Sequence, residues 1–88
     1  MDMEIKHEEK AGGGRFYIDD EGKPTGELTY RLSSKTMDID HTEVNDKFRG
    51  EGLGQDLVNA AVKYGREKDL DVTASCPYAK KVMGEKQL

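Results

Sequence analysis

Apolar residues change their period once along this chain. Up to residue 44 they alternate with polar ones, and from residue 53 they recur at intervals of three and four. The first rhythm predicts strands and the second a helix. RFYI at 15–18, aromatic and β-branched, reads as a short strand. GELTYRLSS at 26–34 puts Leu28, Tyr30 and Leu32 on one face of a second strand. TMDIDHTEV at 36–44 alternates Met37 and Ile39 but ends with Val44 on the opposite parity. Such a phase change predicts a bulge near His41–Glu43. DDEGKP at 19–24 and SSK at 33–35 read as turns between these strands. EEKAGGG at 8–14 reads as a flexible lead-in or turn, since three consecutive glycines disfavour a regular element.

From Gly52 to Lys68, Leu53, Leu57, Val58, Ala61, Val62 and Tyr64 share one helical face. Asp56, Asn59, Lys63, Arg66 and Glu67 occupy the other. LDVTAS at 70–75 is a further strand candidate. CPYAKKVMGEK at 76–86 follows as a short helix, with Pro77 suited to its first turn and Gly84 near its end. The predicted order is β-β-β-α-β-α: an antiparallel meander and then a strand–helix–strand unit, in an α+β or mixed α/β domain. A right-handed crossover places the last strand parallel to strand 36–44.

Eighty-eight residues make one domain at most, spanning 1–88. A chain of this size buries roughly 60–65% of its unfolded surface, so its core is thin. The net charge is −4, and the lysines are scattered among acids rather than gathered in a stripe. That argues against a nucleic-acid partner, which calls for a basic footprint. No run approaches the roughly 20 apolar residues of a membrane span. MDMEIKHEEK is polar and acidic, unlike a secretory signal. The single cysteine, Cys76, cannot form an internal disulfide, so the cytoplasm is the simplest expectation for localisation. One Cys with two distant His, His7 and His41, gives no zinc pattern and no metal site is expected.

The stretch EVNDKFRGEGLGQDL at 43–57 joins a strand to the long helix through three alternating glycines. The first amides of a helix lack intrahelical partners and its dipole favours negative charge there. Glycines let backbone approach a ligand without Cβ clashes. Together they suit a phosphate or pyrophosphate. The P-loop pattern fails, because Gln55 and Asp56 follow Gly54. The dinucleotide pattern G-x-G-x-x-G/A fails too, with Gln55 or Leu57 at its last position. The acyl-CoA pattern [RQ]-x-x-G-x-[GA] is met by Arg49-Gly50-Glu51-Gly52-Leu53-Gly54.

With its HTEV, RGxGxG and SCPY elements in order, IDHTEVNDKFRGEGLGQDLVNAAVKYGREKDLDVTASCPYAKKV at 39–82 resembles the GNAT superfamily of N-acetyltransferases, in its minimal single-domain branch. The resemblance implies acetyl-CoA (coenzyme A) as co-substrate, entering between two splayed parallel strands. It implies that backbone amides of Arg49, Gly50, Glu51, Gly52, Leu53, Gly54 and Gln55 bind the CoA pyrophosphate. Backbone groups of Thr42, Glu43 and Val44 would pair with the pantetheine arm. Larger relatives carry two early helices that shape the acceptor pocket and a hairpin after the last helix, and this chain is too short for both.

Two residues are candidates for chemistry. Cys76 stands at a predicted helix start, which favours a thiolate. It is a nucleophile that takes the acetyl group, or a residue lining the acyl pocket, or a small buried hydrophobe. His41 is a general base, a partner that holds Cys76 as thiolate, or a structural histidine. Glu43 is the runner-up base. Arg49, Lys80 and Lys81 are candidates for the CoA phosphates, each with a solvated surface role as the plain alternative. Tyr78 lines the CoA channel or sits in the core. The function expected is acetyl-CoA-dependent transfer to a primary amine, on a small molecule or on a protein lysine or N-terminus. The alternatives are a CoA-binding module with little catalysis, or a protein-interaction domain on the same fold. The acceptor, the acyl preference and the oligomeric state stay open.

Overall fold

The computed structural model describes residues 4–45 and 52–86, and for 85 and 86 the backbone alone. Four antiparallel strands come first: β1 (Ile5–Lys10), β2 (Gly13–Asp20), β3 (Lys23–Ser33) and β4 (Thr36–Val44). Helix α1 (Leu53–Glu67), strand β5 (Asp71–Ala74) and helix α2 (Pro77–Lys86) follow. The sheet runs β1-β2-β3-β4-β5, and β5 lies parallel to β4 as the crossover rule requires.

The first strand corrects the expectation of a flexible lead-in at 8–14. Residues 8–10 belong to β1, and Gly13 and Gly14 belong to β2. Five of the six residues of IKHEEK are polar, because an edge strand needs little apolar surface. The glycines are there for space. A Cβ on Gly13 would collide with the Tyr30 carbonyl, and one on Gly14 would meet the Tyr30 hydroxyl at 2.5 Å and the Glu8 carbonyl at 2.6 Å. Lys23 and Pro24 likewise extend β3 beyond its predicted start, leaving Glu21-Gly22 as a two-residue turn with φ of 53° and 80°.

One face of the sheet is apolar. Phe16, Ile18, Leu28, Tyr30, Met37 and Ile39 pack there with Leu57, Val58 and Ala61 of α1 and Ala79 and Val82 of α2. Gly65 lets α1 lie close, since a Cβ there would strike Val72 and come within 3.1 Å of the Met37 sulfur. At the β1 end, the His7 ring stacks on Phe16 at 4.1 Å and its Nε2 is 2.6 Å from the Tyr30 hydroxyl. The Tyr64 hydroxyl donates to Glu9 at 2.7 Å, tying α1 to the edge strand.

The bulge expected in β4 is present and falls at Asp40. Thr29 is opposite His41 and Tyr30 is opposite Ile39, so Asp40 is the extra residue. Met37 and Ile39 face the helices before it, and Thr42 and Val44 are the half-buried positions after it. Asp40 and His41 therefore leave the strand side by side on the face away from the helices.

Candidate active site

Strands β4 and β5 part soon after they meet. Their register ends at Ile39 opposite Ala74, and the amides of Ser75 and Cys76 both donate to the Ile39 carbonyl, at 3.0 and 3.1 Å. Beyond that point β4 continues to Val44 paired only with β3. Asp38 holds the parting in place. One of its carboxylate oxygens accepts from the Thr73 hydroxyl at 2.8 Å and the other from Ser75 at 2.7 Å. This clasp closes the end of β5 against β4 just before the chain turns away into α2.

Cys76 lies where the strands part. Its carbonyl accepts the Lys80 amide at 2.9 Å, so it is the N-cap of α2. Its side chain is buried, and its sulfur is 3.7 Å from the Thr42 hydroxyl across the gap. Burial pushes the thiol up. Hydrogen bonds from the Ala79 amide, the Thr42 hydroxyl, the Tyr78 amide and the Thr42 amide outweigh it and hold the thiol below its ordinary value.

Of the two candidate catalytic residues, only Cys76 faces the helices. His41 is on the open face, its Nε2 3.3 Å from a Glu43 oxygen, and both side chains are exposed. The hydroxyl beside the thiol is that of Thr42, which the sequence points to only through its backbone. The signal that points to it is the expected bulge, which carries the even positions of β4 beyond Asp40 to the helix side. His41 and Glu43 form an acid–imidazole pair of their own on the opposite face of the sheet.

The second wall is the start of α1. Gly52 is its N-cap, with φ 76° in the left-handed region and no side chain to cap the helix. The first helical bond runs from the Asp56 amide to the Gly52 carbonyl at 2.9 Å. The amides of Leu53, Gly54 and Gln55 precede that bond and point out of the helix end, where an anion is favoured. Gly54 is buried for another reason. A Cβ on it would lie 2.8 Å from the Tyr78 hydroxyl and 3.0 Å from its ring. Tyr78, otherwise exposed, thus lies across the start of α1 from α2 and does not enter the core. Lys80 and Lys81 are exposed. Arg49, Gly50 and Glu51 lie outside the described residues.

The family model for GCN5-related N-acetyl-transferases matches residues 15–87. The chain belongs to that family. The match takes in the meander from β2 onward, the parted strands, α1 and α2, so the site lies within the family's own domain. Protein NATD1 of Xenopus tropicalis is 40% identical over 57 residues, which are 65% of this chain and 52% of that protein. The human Protein NATD1 is 35% identical over the same length. The chain spans about half the length of the curated relatives it matches. A GCN5-like protein from Staphylococcus aureus, solved by NMR, superposes with a TM-score of 0.75 at 39% identity, covering 97% of this chain and 81% of that one. A Bacillus anthracis structure in complex with acetyl coenzyme A shares the fold, with a TM-score of 0.67 at 17% identity over 88% of this chain and 47% of that one.

Proposed function

We propose that this member of the GCN5-related N-acetyltransferases transfers an acetyl group from acetyl-CoA to a primary amine. The observation that carries the reading is the parting of β4 and β5 at Ile39 and Ala74, between Cys76 and the uncapped start of α1. A cofactor arm fits there as an added strand along Thr42–Val44, with its pyrophosphate at the amides of Gly52, Leu53, Gly54 and Gln55. Arg49, Gly50 and Glu51 complete that loop by the acyl-CoA pattern.

In the transfer, the amine nitrogen attacks the thioester carbonyl, the C–S bond breaks, and CoA leaves as thiolate and takes up a proton. The amine must first lose a proton. His41, with Glu43 beside it, is the base that faces the open side. Two routes reach the product. The amine attacks acetyl-CoA directly, or Cys76 takes the acetyl group first and the amine then displaces it. The hydrogen bonds that favour the Cys76 thiolate support the second route, and its placement on the helix side, away from His41, supports the first.

Isothermal titration with acetyl-CoA and with CoA tests the cofactor half. Micromolar binding is expected, and no binding up to millimolar ligand would overturn the reading. Intact mass after incubation with acetyl-CoA separates the routes, since an acetyl-Cys76 enzyme gains roughly 42 Da and Cys76→Ala does not. Binding without turnover on a broad amine panel would leave a CoA-binding module instead.

A further inference from the structure

Strand β1 leaves one edge of the sheet open. It pairs with β2 on one side and, among the described residues, with nothing on the other. The family match begins at Arg15, so β1 lies ahead of the matched region. The Glu8 carbonyl turns in toward β2, 2.6 Å from where a Cβ of Gly14 would stand. Successive strand residues point their amides and carbonyls to opposite sides, so Ile5, His7 and Glu9 turn theirs outward. An open row of this kind is a template for another strand.

The side chains of that row are charged, as protected edges are, but not of one sign. On the face away from the helices β1 carries Lys6, Glu8 and Lys10, and Glu4 precedes them at the same spacing. Arg15 already joins Glu8 to Glu27, at 3.1 and 2.8 Å, and Lys6 lies 4.0 Å from Asp19. A row of one sign would keep copies of the chain apart. An alternating row attracts its own reverse in one register and repels it in the others.

We propose that β1 is the seam of a homodimer, in which a second copy of this chain pairs antiparallel with it about a two-fold axis at His7. Such an axis, normal to the sheet, keeps the helices of both copies on one face and sets residues of like parity opposite each other. Centred on His7, it pairs Ile5 with Glu9 and His7 with itself, so every outward amide and carbonyl of β1 finds a partner. Lys6 then faces Glu8 of the other copy, and Glu4 faces Lys10, at the positions where opposed side chains come closest. Across the seam the open face reads Glu27, Arg15 and Glu8, then Lys6 and Asp19 of the other copy, with signs alternating throughout. Centring on Glu8 instead puts Lys6 against Lys10 and Glu8 against itself. Centring on Lys6 puts Glu4 against Glu8. Charge thus selects the register that the backbone also favours. The seam is at the edge opposite β5, so it leaves the parted strands open and does not depend on the acetyltransferase reading.

Sedimentation equilibrium of the full chain over a range of concentrations tests it. The wild type should pass from one chain to two as concentration rises. Lys6→Glu and Glu8→Lys each set like charges together at both ends of the two-fold seam, and each should weaken association about tenfold or more. The two substitutions shift the net charge in opposite directions, so weakening by both is not an effect of net charge. Mixed in equal amounts, the two variants are complementary again and should associate as tightly as the wild type. Far-UV circular dichroism of each variant confirms that it is folded. A wild type that is monomeric at every concentration, wild-type association by either variant alone, or a mixture of folded variants that stays monomeric would each overturn the proposal.

Discussion

Thr42 Oγ1 and Cys76 Sγ lie 3.7 Å apart across the gap where β4 and β5 part, joining two elements that share no backbone pairing at that level. The hydroxyl reaches the thiol only because the Asp40 bulge turns Thr42 toward the helices. Thr42→Val removes a donor to the thiolate, so the thiol should titrate higher and react more slowly at pH 7. Thr42→Ser should keep the wild-type behaviour. The rate of iodoacetamide labelling against pH reads this directly. The wild-type midpoint should fall below the ordinary value of about 8.5. A Thr42→Val profile that overlays the wild type would remove the hydroxyl from any role at Cys76.

The same thiol makes stability depend on pH. Its folded value is lowered, so the unfolded chain holds the proton more tightly. The stabilisation is present in full above the unfolded value and is lost as pH falls through the folded one. Urea midpoints of wild type and Cys76→Ala, compared between pH 6 and 9.5, should diverge in the wild type's favour as pH rises. A constant difference across that range would contradict the lowered thiol.

Gly52 and Gly54 should fail in different ways. Gly52 needs its positive φ but has open space where a Cβ would go, so Gly52→Ala should cost about 1 kcal/mol through backbone strain alone. Gly54→Ala drives a methyl into the Tyr78 ring and should cost about 1–3 kcal/mol unless the ring moves. Thermal unfolding measures both, at about 4–8 °C for each kcal/mol in a domain of this size. Adding Tyr78→Ala should rescue Gly54→Ala and leave Gly52→Ala unchanged.

Asp56 is the acid in the first turn of α1, close to the proposed pyrophosphate amides. Its carboxylate favours the helix dipole but opposes a bound anion. Asp56→Asn should lower stability by about 0.3–1 kcal/mol and tighten CoA binding by about two- to fivefold, the same energy expressed as affinity. Calorimetric affinity that is unchanged or weaker would place the pyrophosphate elsewhere.

Asp38→Ala removes the clasp on Thr73 and Ser75. Hydrogen bonds to a charged group are worth about 1.5–3 kcal/mol when well formed, and less on an exposed face. Hydrogen exchange should quicken in β5 while β2 and β3 keep their protection. Loss of protection spread evenly over the sheet would mean that the clasp has no local role.

The strands β2 to β4, both helices and the parallel placement of β5 were legible from apolar spacing, because burial of one face imposes a period of two or of 3.6. The bulge was legible too, as a change of parity between Ile39 and Val44. Strand β1 was not, since its pairing is made by backbone and its side chains are mostly exposed. Gly13 and Gly14 read as breakers, yet they are strand residues that make room for Tyr30. Cys76 stood out as the lone thiol before a proline, which local sequence is enough to mark as a helix start. Its neighbour did not, because Thr42 is 34 residues away and only the folded sheet brings the two together. His41 looked like the natural partner for that thiol, and one step along a bulged strand sent it to the opposite face. By itself the sequence determined the elements, their order and the glycine-led start of α1, all of which depend on neighbours in the chain. Which side chains meet across the parted strands was decided by register and bulge, which depend on residues far apart.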